Sequence, residues 1–144
     1  MLRLKIGIHL PSLRMPLRKA IPRAAELGAE AIEIDGRGEL KPRDLSDTAV
    51  REIRRLLDDN RLRVAAISFR TRRGYDTPDE LERRIEATRQ AMDMAYRLGA
   101  GVVTNHIGDL PDDDSNPRWQ LLVSSLTELG HYAQKSGAML AAQT

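Results

Sequence analysis

The stretch GAMLAAQT, residues 137–144, places a glycine where a helix would close and follows it with a short apolar run of strand length. The same build occurs twice earlier, in GAEAIEID from Gly28 and in GAGVVTNH from Gly99. Glycine accepts the left-handed conformation that ends a helix, and a brief apolar run behind such a breaker suits a buried strand. Each copy is thus the junction at which a helix hands the chain to the next strand.

Working outward from these junctions, residues 4–10 alternate Leu4, Ile6 and Ile8 against Lys5, Gly7 and His9, the period of a first strand. Leu17, Ala20, Ile21, Ala24 and Leu27 follow helical spacing up to Gly28, with Pro22 expected to shorten or kink that helix. A second strand spans 31–35. Ser46 reads as the N-cap of a second helix bearing Val50, Ile53, Leu56 and Leu57, which runs to Asn60, a residue that tolerates a left-handed end. The third strand is 64–69. Thr77 as N-cap, Pro78 at the first helical position and Glu80 three residues after the cap form a capping box for a third helix with Leu81, Ile85, Met92, Ala95 and Leu98 on its apolar side. The fourth strand is 102–106. An Asp- and Pro-rich loop then leads to Asn116 and Pro117, the start of a fourth helix with Leu122, Leu126, Leu129 and Ala133 on one side, and the fifth strand is 139–143.

Strictly alternating strands and helices require parallel strands joined by right-handed crossovers. Two architectures satisfy this: an open doubly wound sheet, or a (β/α)₈ barrel of about 250 residues cut just past halfway. Side-chain parity favours the barrel. With the apolar members facing the helices, the opposite parity reads Gly7 and His9, Glu33 and Asp35, Ala66 and Ser68, Thr104 and His106, Ala141 and Gln143, so every strand delivers a polar group at its C-terminal end. A sheet covered on both faces is more often apolar on both. The fold expected is α/β, a parallel (β/α) TIM-barrel type that is incomplete, with five strands and four helices in a single domain over residues 1–144.

Composition narrows the function classes. With 41% hydrophobic and 31% charged residues and no long apolar run, the chain reads as a soluble globular domain without a membrane partner. MLRLKIGIHL lacks a small-residue cleavage site and reads as a strand, not a signal peptide. The absence of cysteine excludes disulfides and thiolate metal sites and fits a cytoplasmic location. A net charge of +2, with arginines scattered beside acids, argues against nucleic acid as a partner.

Taken in order, GAEAIEIDG, LRVAAISF, LGAGVVTNHIGD and SGAMLAAQT resemble the sugar phosphate isomerase/epimerase superfamily, the xylose isomerase-like TIM barrels that also include zinc-dependent abasic-site endonucleases. The resemblance covers all 144 residues, as the N-terminal portion of such a barrel through its fifth strand. It implies proton transfer next to a sugar carbonyl through an enediolate, assisted by a divalent ion such as Mn, Mg, Co or Zn. It implies catalytic roles for Glu33 and His106 and puts Gln143 where the family carries a metal-ligating glutamate; the polar strand ends His9 and Ser68, with Arg70 behind the third strand, are the candidate substrate-binding residues. Gln143 departs from that pattern, since an amide binds a hard cation weakly and cannot serve as a base at neutral pH. The family's remaining ligands belong to strands six to eight, so the 144-residue piece is expected to bind metal weakly or not at all and to be inactive alone. In the endonuclease branch the third strand ends in a histidine ligand; here it carries Ser68. The partner expected is a small sugar or sugar phosphate, with self-association through exposed strand edges.

Competing readings stand beside these. Glu33 and Asp35 could bond loop amides or arginines, His106 could be a rim histidine without chemistry, and His9 could serve packing. Arg70, Arg72 and Arg73 suit a forked grip on a phosphate, or a solvated loop. The acids Asp109, Asp112, Asp113 and Asp114 lack the spacing of a calcium loop and read as a solvated segment before the fourth helix, and Gly36-Arg37-Gly38 reads as turn glycines. The alternative to an enzyme is a non-catalytic half-barrel or open-sheet domain that binds a ligand or assembles with itself.

Overall fold

The computed structural model describes residues 3–144; Met1 and Leu2, which open the stretch read as a first strand, lie outside them. The order is β1 (Gly7–His9), a 3₁₀ turn (Leu10–Leu13), α1 (Leu17–Glu26), β2 (Ala31–Asp35), a second 3₁₀ turn (Pro42–Asp44), α2 (Asp47–Asp59), β3 (Arg63–Arg70), α3 (Leu81–Arg97), β4 (Val102–His106), α4 (Pro117–Ser136) and β5 (Met139–Gln143). All neighbouring strands pair in parallel, and their order in the sheet is the order in the chain. An open doubly wound sheet reverses its strand order at a switch point. Consecutive winding is that of a barrel, and it removes the flat-sheet alternative.

The register carries the same message. His9 pairs with Glu33; two residues farther along β2, Asp35 pairs with Ser68; two farther along β3, Arg70 pairs with His106, which pairs with Gln143. The C-terminal rim therefore climbs four residues over the four strand steps from β1 to β5. That is the stagger of about one residue per strand that an eight-stranded barrel with a shear of about eight requires. A bulge opposite Ile32 and Glu33 supplies one extra residue to β3 between Val64 and Ala66.

The helices cover one face of the sheet. Ile32, Ile34, Ile67, Phe69 and Val103 are at most 4% exposed, and α-helical residues Ile21, Ile85, Met92 and Leu129 close over them. Sealing this face is the main driving force for folding, since each large apolar side chain taken from water contributes about 1.5–3 kcal/mol. Glycines at positive φ end the helices where expected, at Gly28 (φ 88), Gly99 (φ 77) and Gly137 (φ 76).

Side-chain caps form at α2, where the sequence places one, and at α4, while other helix ends depart from the sequence reading. Ser46 Oγ accepts the Ala49 amide at 3.1 Å, and Asn116 Oδ1 accepts that of Arg118 at 3.0 Å. The capping box at α3 does not form: the helix begins at Leu81 with Glu80 itself left-handed (φ 52), while Thr77 Oγ1 bonds to Asp76 instead. The cause is Arg84, whose guanidinium reaches back to the carbonyls of Thr77 and Asp79 and holds residues 77–80 as a separate turn. At the end of α2 the left-handed residue is Arg61 (φ 54), because Asn60 spends its amide on the Leu56 carbonyl at 2.8 Å. Pro22 neither shortens nor breaks α1, which runs through it to Glu26. The first strand is shorter than the alternation suggests: Leu4 (80% exposed) and Ile6 (57%) precede it, because nothing among the described residues packs over them.

Candidate functional site: the polar rim of the sheet

The face away from the helices is the concave side of the arc. Its residues near the C-terminal ends are Glu33, Asp35, Ser68, Thr104 and His106, all of intermediate exposure, with His9, Arg70 and Gln143 exposed. Their common orientation follows from strand pleating, which sends alternate residues to the same face.

Two groups form along the rim. In the first, His9 Nδ1 lies 3.5 Å from Glu33 Oε1, with both side chains partly open to solvent. In the second, Arg70, His106 and Gln143 occupy one register row on adjacent strands, about 4.8 Å apart from strand to strand. Asp35, Ser68, Thr104 and Ala141 make the row between them. The structure thus brings His9 to Glu33, and Arg70 to His106 and Gln143, but it sets Glu33 and His106 two rows apart rather than in contact.

Some of the polar tips are occupied with holding loops. Asp35 Oδ1 accepts the Arg37 amide at 2.9 Å and so shapes the turn after β2, which is the structural role weighed for it. Ser68 Oγ donates to the Ile34 carbonyl at 3.5 Å, and Thr71 Oγ1 donates to the backbone carbonyl of His106 at 3.2 Å. Glu33, Arg70 and the His106 ring carry no such duty, which leaves them available to a ligand.

Among the described residues, no three of His, Asp or Glu gather closely enough to hold a metal ion. The donor chemistry agrees: His106 and Gln143 supply neutral ligands, and the nearest carboxylate row belongs to Asp35, already bonded to its turn. These residues by themselves do not fit a divalent ion. In the acidic run before α4, Asp113 Oδ1 accepts the Ser115 hydroxyl and also its amide at 2.9 Å, bonds that hold its carboxyl below the usual range.

Sequence reasoning missed a buried polar cluster behind the rim. The hydroxyl of Tyr75, which is fully buried, donates to Asn105 Oδ1 at 2.8 Å and lies 2.6 Å from Thr88 Oγ1, while Asn105 Nδ2 donates to the Phe69 carbonyl at 2.7 Å. Burial, ahead of every other cause, pushes the Tyr75 phenol above its ordinary value of 10.0. Ser125 Oγ donates to the Tyr75 carbonyl at 3.3 Å, and buried Asp76 pairs with Arg118. Gly74 lies so close to the Ile107 carbonyl that a Cβ there would collide with it. Together these contacts pin the loop after β3 to β4 and α4 and fix where Arg70 leaves the sheet. The signal was present in Asn105, a polar residue at the helix-facing parity of an otherwise apolar strand.

The sequence model of the xylose isomerase-like TIM barrel family matches residues 21–144. The chain belongs to that family. No curated protein matches it in sequence. Among solved structures, it superposes on a xylose isomerase domain protein from Planctomyces limnophilus with a TM-score of 0.80 at 17% identity, covering 96% of this chain and 53% of that one. A xylose isomerase-like TIM barrel protein from Mycobacterium smegmatis, in complex with magnesium, gives 0.69 at 21% identity, covering 96% and 54%. A D-allulose 3-epimerase from Methylomonas sp., in complex with D-allulose, gives 0.65 at 25% identity, covering 87% and 44%. The chain thus spans about half the length of each of these barrels, and its fold is the five-strand side of the family's ring. No helix among the described residues is long and apolar enough to cross a membrane.

Proposed function

We propose that residues 1–144 form the N-terminal portion of a sugar or sugar phosphate isomerase/epimerase, and that the concave rim is one wall of its sugar site. The observation that carries this reading is the single polar edge made by five consecutive parallel strands, with His9 set against Glu33 at one end and the Arg70, His106 and Gln143 row at the other.

Isomerisation of a sugar needs a base near the carbon next to the carbonyl and donors that stabilise the oxyanion formed when the proton leaves. Glu33 is the base in this proposal, held by His9; His106 and Arg70 donate hydrogen bonds to sugar oxygens, and Ser68 and Gln143 fill the wall between and beside them. In the family as a whole a divalent ion supplies Lewis-acid stabilisation of the oxyanion. The residues present here do not assemble such a site, so no step is assigned to a metal, and the isolated chain is expected to bind a sugar without turning it over.

The test is a titration of D-allulose and D-fructose into the chain, followed by amide NMR. Perturbation confined to the ends of β1 to β5, weakened at least about tenfold by Glu33→Gln or His106→Ala, supports the reading. Perturbation elsewhere, or an affinity unchanged from that of the parent chain in both variants, would sink it. A second reading, self-association, draws on the edges of β1 and β5, whose outer backbone groups have no strand partner among the described residues, and on Met139, which is 66% exposed on β5. Sedimentation showing a monomer at all concentrations would remove it.

A further inference from the structure

A concentration of unbalanced positive charge lies behind the rim, not on it. A cavity of about 590 Å³ opens between the turn after β2, the loop after β3 and the first half of α3. Seven of its lining side chains are basic and two are acidic. None of the rim residues His9, Glu33, Ser68, Arg70, His106 or Gln143 lines it. Its floor includes Phe69, which points to the helix side of the sheet, so the cavity is separate from the sugar wall.

Both acids are already engaged, Asp79 with Arg73 and Glu80 with Arg83 at 2.7 Å. Among the described residues, Arg37, Lys41, Arg72 and Arg84 pair with no carboxylate. The guanidinium of Arg37 lies 4.9 Å from the centre of the Phe69 ring, which holds it over the cavity floor. Arg84 is more telling. Its terminal nitrogens bond only to the carbonyls of Thr77 and Asp79, and its Nε is buried without any partner. A partly buried cation with an orphaned donor, set among three further unpaired cations, is a site short of an anion. The turn above the floor carries no bulk, since Gly36 sits where a Cβ would press on Ile67 and Phe69 at 3.2 Å.

We infer that this cleft binds a phosphate group of a small molecule, through forked hydrogen bonds from Arg37 and Arg72 with Lys41 and Arg84 completing the charge. Guanidinium forks match the tetrahedral oxyanion of a phosphate, and the volume is that of a small-ligand pocket. A nucleic-acid track fits less well: the cations gather in one hollow rather than along a stripe, and Phe69, 4% exposed, has no free face for a base. The inference stands independently of the sugar reading, because no residue is shared.

The experiment titrates inorganic phosphate, D-fructose 6-phosphate and unphosphorylated D-fructose into the whole chain, again by amide NMR. Saturable shifts in residues 36–43, 71–73 and 83–90 with both phosphates, absent with D-fructose, are expected, with affinity falling at least about tenfold in an Arg37→Ala/Arg72→Ala variant and by less than about twofold in an Arg61→Ala/Arg63→Ala control, which removes the same charge from two exposed arginines outside the cleft. If only D-fructose 6-phosphate also moves Glu33 and His106, the phosphate is the tail of the substrate; if inorganic phosphate saturates the cleft and the rim stays still with both phosphates, it is a separate effector. Shifts that never saturate by about 20 mM phosphate, equal losses in variant and control, or tighter binding of a single-stranded oligonucleotide than of phosphate would each overturn the inference. Thermal melts of both variants show whether a loss of binding reflects a loss of fold.

Discussion

The two faces of this sheet hold residues of similar polarity and treat them in opposite ways. Asn105 and His106 are neighbours in β4. Asn105 points to the helices, is 1% exposed, and has its carbonyl and amide groups both bonded, to Tyr75 and to the Phe69 carbonyl. His106 points to the concave side, and its ring makes no bond to any of the described residues. A polar group on the dry face must be satisfied or it costs about 1–3 kcal/mol; on the wet face it can remain free for something else. One face therefore carries stability and the other carries chemistry, and substitutions should separate them.

The sharpest way to break that contrast is Ile67→Ala on the dry face. Ile67 is fully buried at the centre of the sheet, and its truncation is expected to cost about 2–5 kcal/mol, read as a fall in the denaturant midpoint. A loss below 1 kcal/mol would mean that the helices do not seal this face as described.

Next in size is Tyr75→Phe, which strands Asn105 Oδ1 and removes a partner of Thr88; about 1–3 kcal/mol is expected. It also sharpens the pH behaviour. The fold keeps the Tyr75 phenol protonated past its ordinary value of 10.0, so its contribution is complete below about pH 10 and is lost as the pH rises toward the folded value, once the unfolded chain ionises first. Tyr132, raised first by burial and then by its bond to Asp93, acts in the same direction. Stability measured from pH 8 to 11 should fall at the alkaline end, and less steeply in Tyr75→Phe; identical slopes would contradict the buried network.

Smaller still is Ser46→Ala, at about 1 kcal/mol for the cap of α2, whereas Thr77→Ala should cost less because Thr77 caps no helix. The smallest effect belongs to the wet face: Glu33→Gln should leave stability within about 0.5 kcal/mol while weakening sugar binding. A Glu33 variant that unfolds the chain would place that carboxylate among the structural residues and erase the distinction between the faces.

Much of this was legible in the sequence because it rests on local rules. The helix-closing glycines, the cap at Ser46, and the parity that sends Glu33, Ser68, His106 and Gln143 to one side depend on residues a few positions apart, and each recurs in the structure. The α3 boundary was misread because Arg84 reaches seven residues back to Thr77, a competition that a capping motif does not reveal. The cluster of Tyr75, Thr88 and Asn105 joins three separate elements, with 30 residues between Tyr75 and Asn105. Nothing in their spacing announces it.

What the sequence by itself determined is the alternation of elements and the face each strand residue takes, since periods of two and 3.6 follow from backbone geometry alone. Only the tertiary structure decided that Glu33 neighbours His9 rather than His106, and that basic residues scattered from Arg37 to Arg84 meet around one hollow. Both depend on the stagger between strands and on the paths of the loops, which are settled when the sheet and its helices pack together, not when each element forms.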